Sequence, residues 1–599
     1  MMPSSRLLAL LSAGAIIATA ISCGPVFTSD SADKGNTLCR VGGDFKGFDP
    51  VDAVDVGSAR EVSYVYEGLL EYAYLDRPYH PIPRLTQGMP DISSDGLTYT
   101  FKIKPGVRFI DDPCFPGGKG REVVAADFVY SFKRVLDPHL ESQGDWIFAG
   151  HVLGADDWVK EIGAINGPVD YSVPLPGFQA TDKYTLQIQL AKPYPQLLYV
   201  LTMCYAFVVP HEAVEFYGQQ FRRHPVGTGP FRLKSWRPNY RLEYERNPTF
   251  NGQTYPSTGE PGDRAAGLLD DAGKPLPLVD RIVEYDIREF YTVWQMFLGG
   301  RIFSSGLSKD YFEKAIAPDL SLSPDLVRRG IRLYKVPEPS TDYIGFNMLD
   351  SAVGVSTDPV INERHRKLRQ AFASAIDVKK YVEVIFNNRY MPANSFIPPG
   401  VAGHTDKPYA YEFNLERAKQ LIAEAGFPGG RDEHGNALRL TMILPGAGST
   451  GARQEADFYE EALRAIGVEL IVQQLSFAEY LRREHDGETQ VFWGAWIIDY
   501  PDAQNFLQLF YGPNKCPGIN ACNYQNPAFD RQYERILTMA DSPERTALYE
   551  QMADMTTTDC VWALLDYRLE YGLYQPWFQN YKPHGFPYPN GKYYKVLPH

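Results

Sequence analysis

Between Phe231 and Glu245 apolar and polar positions alternate. Phe231 and Leu233, then Leu242 and Tyr244, fall on one face, and Arg232, Lys234, Arg241, Glu243 and Glu245 fall on the other. A period of two gives a strand one buried face and one wet face. Arg237-Pro238-Asn239-Tyr240 supplies a reversal between the two runs and Asn247-Pro248 closes the second, so residues 224–250 are read as a β-hairpin. Gly227 and Gly229 are read as turn glycines before it, with Pro230 fixing the exit. Strand patterning recurs at Leu97–Ile103, at Arg108-Phe109, at Tyr184–Leu190, at Arg281–Ile287 and in the run beginning at Phe492. Helical spacing appears at Ala126–Leu136, where Phe128, Val129, Phe132, Val135 and Leu136 form one stripe and Asp137-Pro138 ends it. Trp294–Leu298, Lys367–Asp377 and Asn414–Gly430 are further helical segments, the last with Gly426 as its cap.

The order of these elements is mixed, strand and helix, over 599 residues, which is long for one core. Two or more lobes are therefore expected. Pro337-Glu338-Pro339 marks a boundary between them, and the Gly-, Pro- and Asp-rich stretch 251–279 reads as an insert. A net charge of −14 with no clustered basic stripe argues against a nucleic-acid partner.

Arg6 precedes an apolar run from Leu7 to Ile21, too short and too soon followed by polar residues for a membrane-spanning helix. Its layout is that of a secretory signal. Ala20-Ile21-Ser22-Cys23 resembles a bacterial lipobox, which would make Cys23 the lipidated first residue of the mature chain, and residues 24–36 read as a flexible tether. Six other cysteines remain: Cys39, Cys114, Cys204, Cys516, Cys522 and Cys560. Outside the cytoplasm they could form disulfides, with 15 possible complete pairings. Cys516 and Cys522 are the pair expected to close a small loop. No metal-ligand spacing accompanies them.

Enzyme signatures are sparse. Gly446-Ala447-Gly448-Ser449-Thr450-Gly451 fits G-x-G-x-x-G between an apolar strand, Leu438–Leu444, and a helical stretch, Arg453–Ile466. The next strand, Val468–Leu475, carries no acidic residue at its end to hold a ribose, so a βα turn is the better reading. H-E-x-x-H and G-x-S-x-G are absent. The adjacent pairs Asp111-Asp112 and Asp270-Asp271 read as loop charges rather than a spaced catalytic pair. Neither a cofactor nor catalysis is expected. The most informative polar stretch is Phe492–Asp502, where an apolar strand gives way to Asp499 among Trp493, Trp496 and Tyr500. A carboxylate among rings that exclude water suits pairing with a ligand ammonium.

The string PVGTGPFRLKSW…LEYERNPTF at 225–250 closely resembles the signature of the oligopeptide/dipeptide-binding family of extracytoplasmic solute-binding proteins of ABC transporters, solute-binding protein family 5. The segments FDP…YEGLL (48–70), ADFVYSFKRVLDP (126–138), LRQAFASAID (368–377), NSFIPPG (394–400) and NLERAKQLIAEAGFPGG (414–430) are similar to further landmarks of that family. The resemblance implies an α/β, two-lobed periplasmic-binding-protein-like fold, class II and large cluster C type, with an extra subdomain and a discontinuous first lobe. On that pattern residues 1–22 are a signal peptide and 23–36 a lipidated tether. Lobe I comprises 37–62, an extra subdomain at 63–178, 179–338 and a return segment at 561–599; lobe II is 339–560. It implies a peptide ligand held between the lobes and delivered to permease subunits, by an extracytoplasmic, lipid-anchored and monomeric protein. Asp499 takes the place of the aspartate that binds the peptide amine, and Trp496 lines the first side-chain pocket, next to Tyr500. Trp493 stands where some members carry an arginine for a ligand carboxylate, and Tyr343, Asn347, Tyr567 and Val56 are further pocket positions. Another cargo, such as an oligosaccharide stacked on Trp493 and Trp496, is the same-fold alternative; a secreted hydrolase is the alternative from another class.

Overall fold

Phe231–Arg237 and Arg241–Arg246 pair as an antiparallel hairpin, with Asn239 at φ 58° in the reversal. Leu242 and Tyr244 are buried, and burying side chains of this kind stabilises by roughly 1.5–3 kcal/mol each. The hairpin forms the edge of a four-stranded sheet in the order Thr37–Gly42, Arg281–Asp286, Arg241–Arg246, Phe231–Arg237. Gly227 and Gly229 are required for a different reason from the expected one. Neither adopts a positive φ; a Cβ on Gly227 would lie 1.8 Å from the Val65 carbonyl oxygen, and one on Gly229 2.6 Å from the Val65 carbonyl carbon. The glycines let the loop lie on the end of helix Val56–Val65, where the Gly229 amide donates to the Val65 carbonyl at 2.9 Å.

The sequence landmarks meet in this neighbourhood. Glu67 accepts from the Thr228 hydroxyl at 2.9 Å and pairs with Arg84. Asp49 caps the turn Pro50–Asp52 and forms a two-pronged pair with buried Arg134, at 2.7 and 3.0 Å. Arg134 belongs to helix Ala125–Leu136, so this ion pair ties the opening segment to the extra subdomain.

The structure is a computed structural model that describes residues 35–42, 47–53, 55–250, 252–585 and 590–599; Asn36–His599 form one unit. Cys23 and the signal-like run lie outside the described residues. One large core gathers Phe101, Phe128, Phe132, Leu186 and Tyr244; a second gathers Ile344, Phe372, Tyr459, Phe492 and Phe529. The second core surrounds a six-stranded sheet in the order Met391–Pro392, Trp562–Tyr567, Ser340–Phe346, Val491–Ile497, Arg439–Pro445, Glu469–Leu475. Ser340–Phe346 is buried at every position, as a strand covered on both faces must be.

The chain crosses between the lobes twice. Arg332–Pro337 leads into Ser340–Phe346, and Trp562–Tyr567 leads back into Leu569–Tyr574. Arg332–Pro337 and Leu569–Tyr574 pair with each other in a separate three-stranded sheet. Trp562–Tyr567 is a strand of the same sheet as Ser340–Phe346, so Arg568 lies between the two sheets on the returning path.

The extra subdomain's sheet runs Asp91–Ile92, Thr98–Lys102, Thr185–Gln189, Phe178–Asp182, so a boundary at 178 would cut it, and one at 62 would cut a helix. Arg108 makes only an isolated bridge to Glu122, not a strand. The insert 251–279 is pinned to the C-terminal segment: Asp271 pairs with Lys595 at 3.0 Å, Asp263 with Lys582 at 2.7 Å, and Tyr74 stacks on Tyr593 at 4.2 Å beside Tyr255.

The expected Cys516–Cys522 bridge does not form; both are free thiols. Cys516 Sγ lies 3.3 Å from the Glu484 carbonyl, whereas Cys522 is buried and points at the Val561 carbonyl.

Candidate ligand-binding site

Strand Val491–Ile497 ends at the crossover side of its sheet, where Ile497 pairs with Ser340, and the chain leaves it through Ile498-Asp499-Tyr500. A short helix, Gln504–Leu507, follows and places Asn505 beneath the turn. Fully buried Asn505 organises it. Its Oδ1 accepts from the Trp496 indole at 2.8 Å and from the Asp499 amide at 3.1 Å, and its Nδ2 donates to Asp499 Oδ2 at 2.9 Å. One side chain thus sets both the ring and the carboxylate.

Asp499 is half-buried and no lysine or arginine pairs with it among the described residues. Burial raises its pKa above the usual carboxylate value, and the Asn505 hydrogen bond offsets part of that rise. Tyr500 is buried; its hydroxyl donates to Gln504 Oε1 at 2.5 Å, and Gln504 donates in turn to Tyr533. The Tyr500 ring lies 6.3 Å from Tyr199 and 6.4 Å from Trp146, both packed with the first core. Residues from both lobes therefore surround this turn. Such a site can receive a cation: the carboxylate carries unspent charge, and the rings keep water out.

The other candidate residues are dispersed. Trp493 is half-buried and packs against Leu444, Ala452 and Ala456, while its carbonyl accepts from Tyr480. Tyr343 is in the core, stacked on Trp562 at 3.4 Å. Asn347 lies past the other end of Ser340–Phe346, about 20 Å from Asp499 along the strand, and donates to the Gly487 and Thr489 carbonyls in a turn. The Tyr567 hydroxyl donates to the Ser395 carbonyl at 2.6 Å and holds the NSFIPPG segment. Val56, exposed at the start of its helix, lines a separate cavity with Arg40 and Arg60. Only Trp496, Asp499 and Tyr500 are brought together. Asn505, Gln504, Tyr199 and Trp146 escape sequence reasoning, since no periodicity or motif links them to Asp499.

The crossovers carry charge of their own. Asp342 and Asp566 face each other on adjacent strands, and Arg568 pairs with Asp342 at 3.0 Å. Asp566 is fully buried with neither carboxylate oxygen hydrogen-bonded. Burial pushes Asp342 up to about 6, against the pull of Arg568, and Glu455 up to about 7. Asp566 is raised well above the usual range, by burial and then by Asp342. The Gly446–Gly451 turn is a plain βα connection in which Ser449 caps helix Thr450–Arg464. Among the described residues no group of three or more His, Cys, Asp or Glu side chains is placed to hold a metal ion.

A family model described as bacterial extracellular solute-binding proteins, family 5 Middle, matches residues 80–516. The chain is 24% identical to di/tripeptide-binding protein 2 of Pseudomonas aeruginosa over 485 residues, covering 78% of each chain. It is 23% identical to the periplasmic oligopeptide-binding protein OppA of Escherichia coli, over 92% of this chain and 90% of that one. Among solved structures, the periplasmic binding protein DppA from Helicobacter pylori in complex with the peptide STSA superimposes with a TM-score of 0.66 at 22% identity, covering 94% and 98% of the two chains.

Proposed function

The chain belongs to family 5 of the bacterial extracellular solute-binding proteins, and from that premise we propose that it captures peptides between its two lobes and hands them to the permease of an ABC transporter. The observation that carries this reading is Asp499, a half-buried carboxylate aimed by Asn505, bordered by Trp496 and Tyr500, and left without a cation. The α-amine of a peptide supplies that cation. Main-chain pairing with protein strands would hold peptides of varied sequence, and water in the side-chain pockets would keep selectivity low. Closure draws its energy from contacts made to both lobes at once, and the two crossover strands are the hinge about which the lobes move. We take the closing lobe to run from Ser340 to Tyr567. Its relatives bear names that describe binding, not turnover, and the reading assigns the chain no catalytic step.

Localisation is extracytoplasmic, as for the family, and no helix among the described residues is long and apolar enough to cross a membrane. Our reading adds a lipid anchor on Cys23 and a protein that works as a monomer.

The test is calorimetric. Protein stripped of ligand by unfolding and refolding is titrated with a free-amine peptide and with its N-acetylated form. The reading expects tight binding of the first only, and Asp499→Asn should abolish the difference. Equal affinity for both forms in the wild type would overturn the amine role.

A further inference from the structure

The turn that carries Asp499 is gripped from the other lobe. Tyr500 follows Asp499 in the chain, yet its side chain is buried in the first core with Leu197 and Val200. Those two residues belong to the short helix Leu197–Val200, which Gln196 precedes. Gln196 is 1% exposed, and its amide nitrogen donates to Asp502 Oδ2 at 3.2 Å. A carboxylate only accepts, so the amide has one useful orientation there. Tyr199, on the same helix, donates through its hydroxyl to Asp541 Oδ2 at 3.4 Å. One cation holds both acceptors. Arg545, 2% exposed, lies 2.8 Å from Asp502 and 2.6 Å from Asp541. Tyr549, a member of the second core, donates to the other oxygen of Asp502 at 2.7 Å. One lobe therefore presents a fixed pair of carboxylates, and the other meets them with two donors from a single helical turn.

These bonds join protein to protein, three residues from the acid assigned to the ligand amine. Resting on the peptide reading above, we propose that Gln196 and Tyr199 are positioning residues that clasp the first lobe onto the Asp499 turn when the lobes close, and so add the same increment to the affinity of every ligand. A contact made only in the closed form draws the equilibrium toward it, and apparent affinity follows the fraction of protein competent to hold ligand. Gln196 carries the larger share, because its bond is buried and its acceptor is charged. Tyr199 carries less, since the Asp541 side chain is 74% exposed and water competes for it.

The test is the binding kinetics of three free-amine peptides of unrelated sequence. Gln196→Met keeps the side-chain volume and removes the donor, while Asp502 stays paired with Arg545. It is expected to weaken all three peptides by a common factor of about tenfold, through faster dissociation with association unchanged. Tyr199→Phe keeps the ring beside Tyr500 and is expected to cost about twofold. Gln196→Glu sets two carboxylates against each other and should weaken binding further than Gln196→Met; it decides the matter where the methionine variant does not fold. Unchanged dissociation rates in folded variants overturn the proposal, because the bond then serves packing alone. A loss confined to one peptide overturns it too, since Gln196 would then be a ligand contact. Either result leaves the peptide reading standing, whereas a wild type that binds no peptide removes both.

Discussion

Asp499 and Asp502 stand three residues apart, and their surroundings are opposite. Asp502 is saturated: it pairs with buried Arg545 at 2.8 Å, and accepts from Tyr549 at 2.7 Å, from the Gln504 amide at 3.0 Å and from Gln196 at 3.2 Å. Asp499 has one side-chain partner, the neutral amide of Asn505. The first carboxylate is spent on structure, including a bond to Gln196 across the lobes; the second has no cationic partner among the described residues. Full burial alone does not mark a binding residue; what sets Asp499 apart, and supports the proposed role, is a carboxylate with no cationic partner among the described residues.

The widest separation between the two should come from Asp502→Asn. It strands Arg545, which is 2% exposed, and the loss is expected at about 3–5 kcal/mol, read as a drop in the denaturation midpoint without ligand. Asp499→Asn should leave that midpoint almost unmoved, yet weaken free-amine peptides by about 2–4 kcal/mol. A large stability loss there would erase the contrast. In the wild type, affinity for those peptides should fall as the pH drops through the raised pKa of Asp499, because the protonated acid no longer attracts an ammonium; N-acetylated peptides should show no such fall. Asn505→Ala should fall between, costing about 1–2 kcal/mol in both stability and binding, because it frees the Trp496 indole and the Asp499 carboxylate together.

The smallest effect concerns the crossover acids. Asp342, Asp566 and Glu455 have folded pKa values above their unfolded ones, so the native state binds protons more tightly. Their contribution is fully present below about pH 4, the unfolded value, and is lost as the pH rises through about 6 for Asp342 and about 7 for Glu455. Melting temperature should therefore decline between pH 5 and 8, and Asp566→Asn should flatten the decline, worth about 1 kcal/mol at pH 8. An unchanged slope in that variant would mean that Asp566 is not where the proton is held.

Much of this architecture is legible in the sequence. The alternation at 231–245 is local, so it specified the hairpin, and the apolar stripe of Ala125–Leu136 specified its helix. The pairing of Thr98–Lys102 with Thr185–Gln189 and of Ser340–Phe346 with Trp562–Tyr567 was not legible, because strand pairing across distant segments leaves no trace in composition. At the site, Trp496, Asp499 and Tyr500 stood out as an acid among rings. Asn505 did not, and neither did Tyr199 or Trp146, which reach Tyr500 from the other lobe. Tyr343 and Asn347 sat in matching motifs, and the fold stacks Tyr343 on Trp562 and sets Asn347 in a turn, since a strand sends its side chains to fixed faces whatever their chemistry.

By itself, then, the sequence determined the class of fold, the family and the one acidic turn worth testing, because periodicity and local motifs are properties of neighbours in the chain. Tertiary structure alone decided which charges are free. Asp502 is neutralised by Arg545, and Asp499 has no cationic partner among the described residues. Charge compensation depends on groups tens to hundreds of residues apart meeting in a low-dielectric interior, where a single missing partner changes what a carboxylate or guanidinium can do.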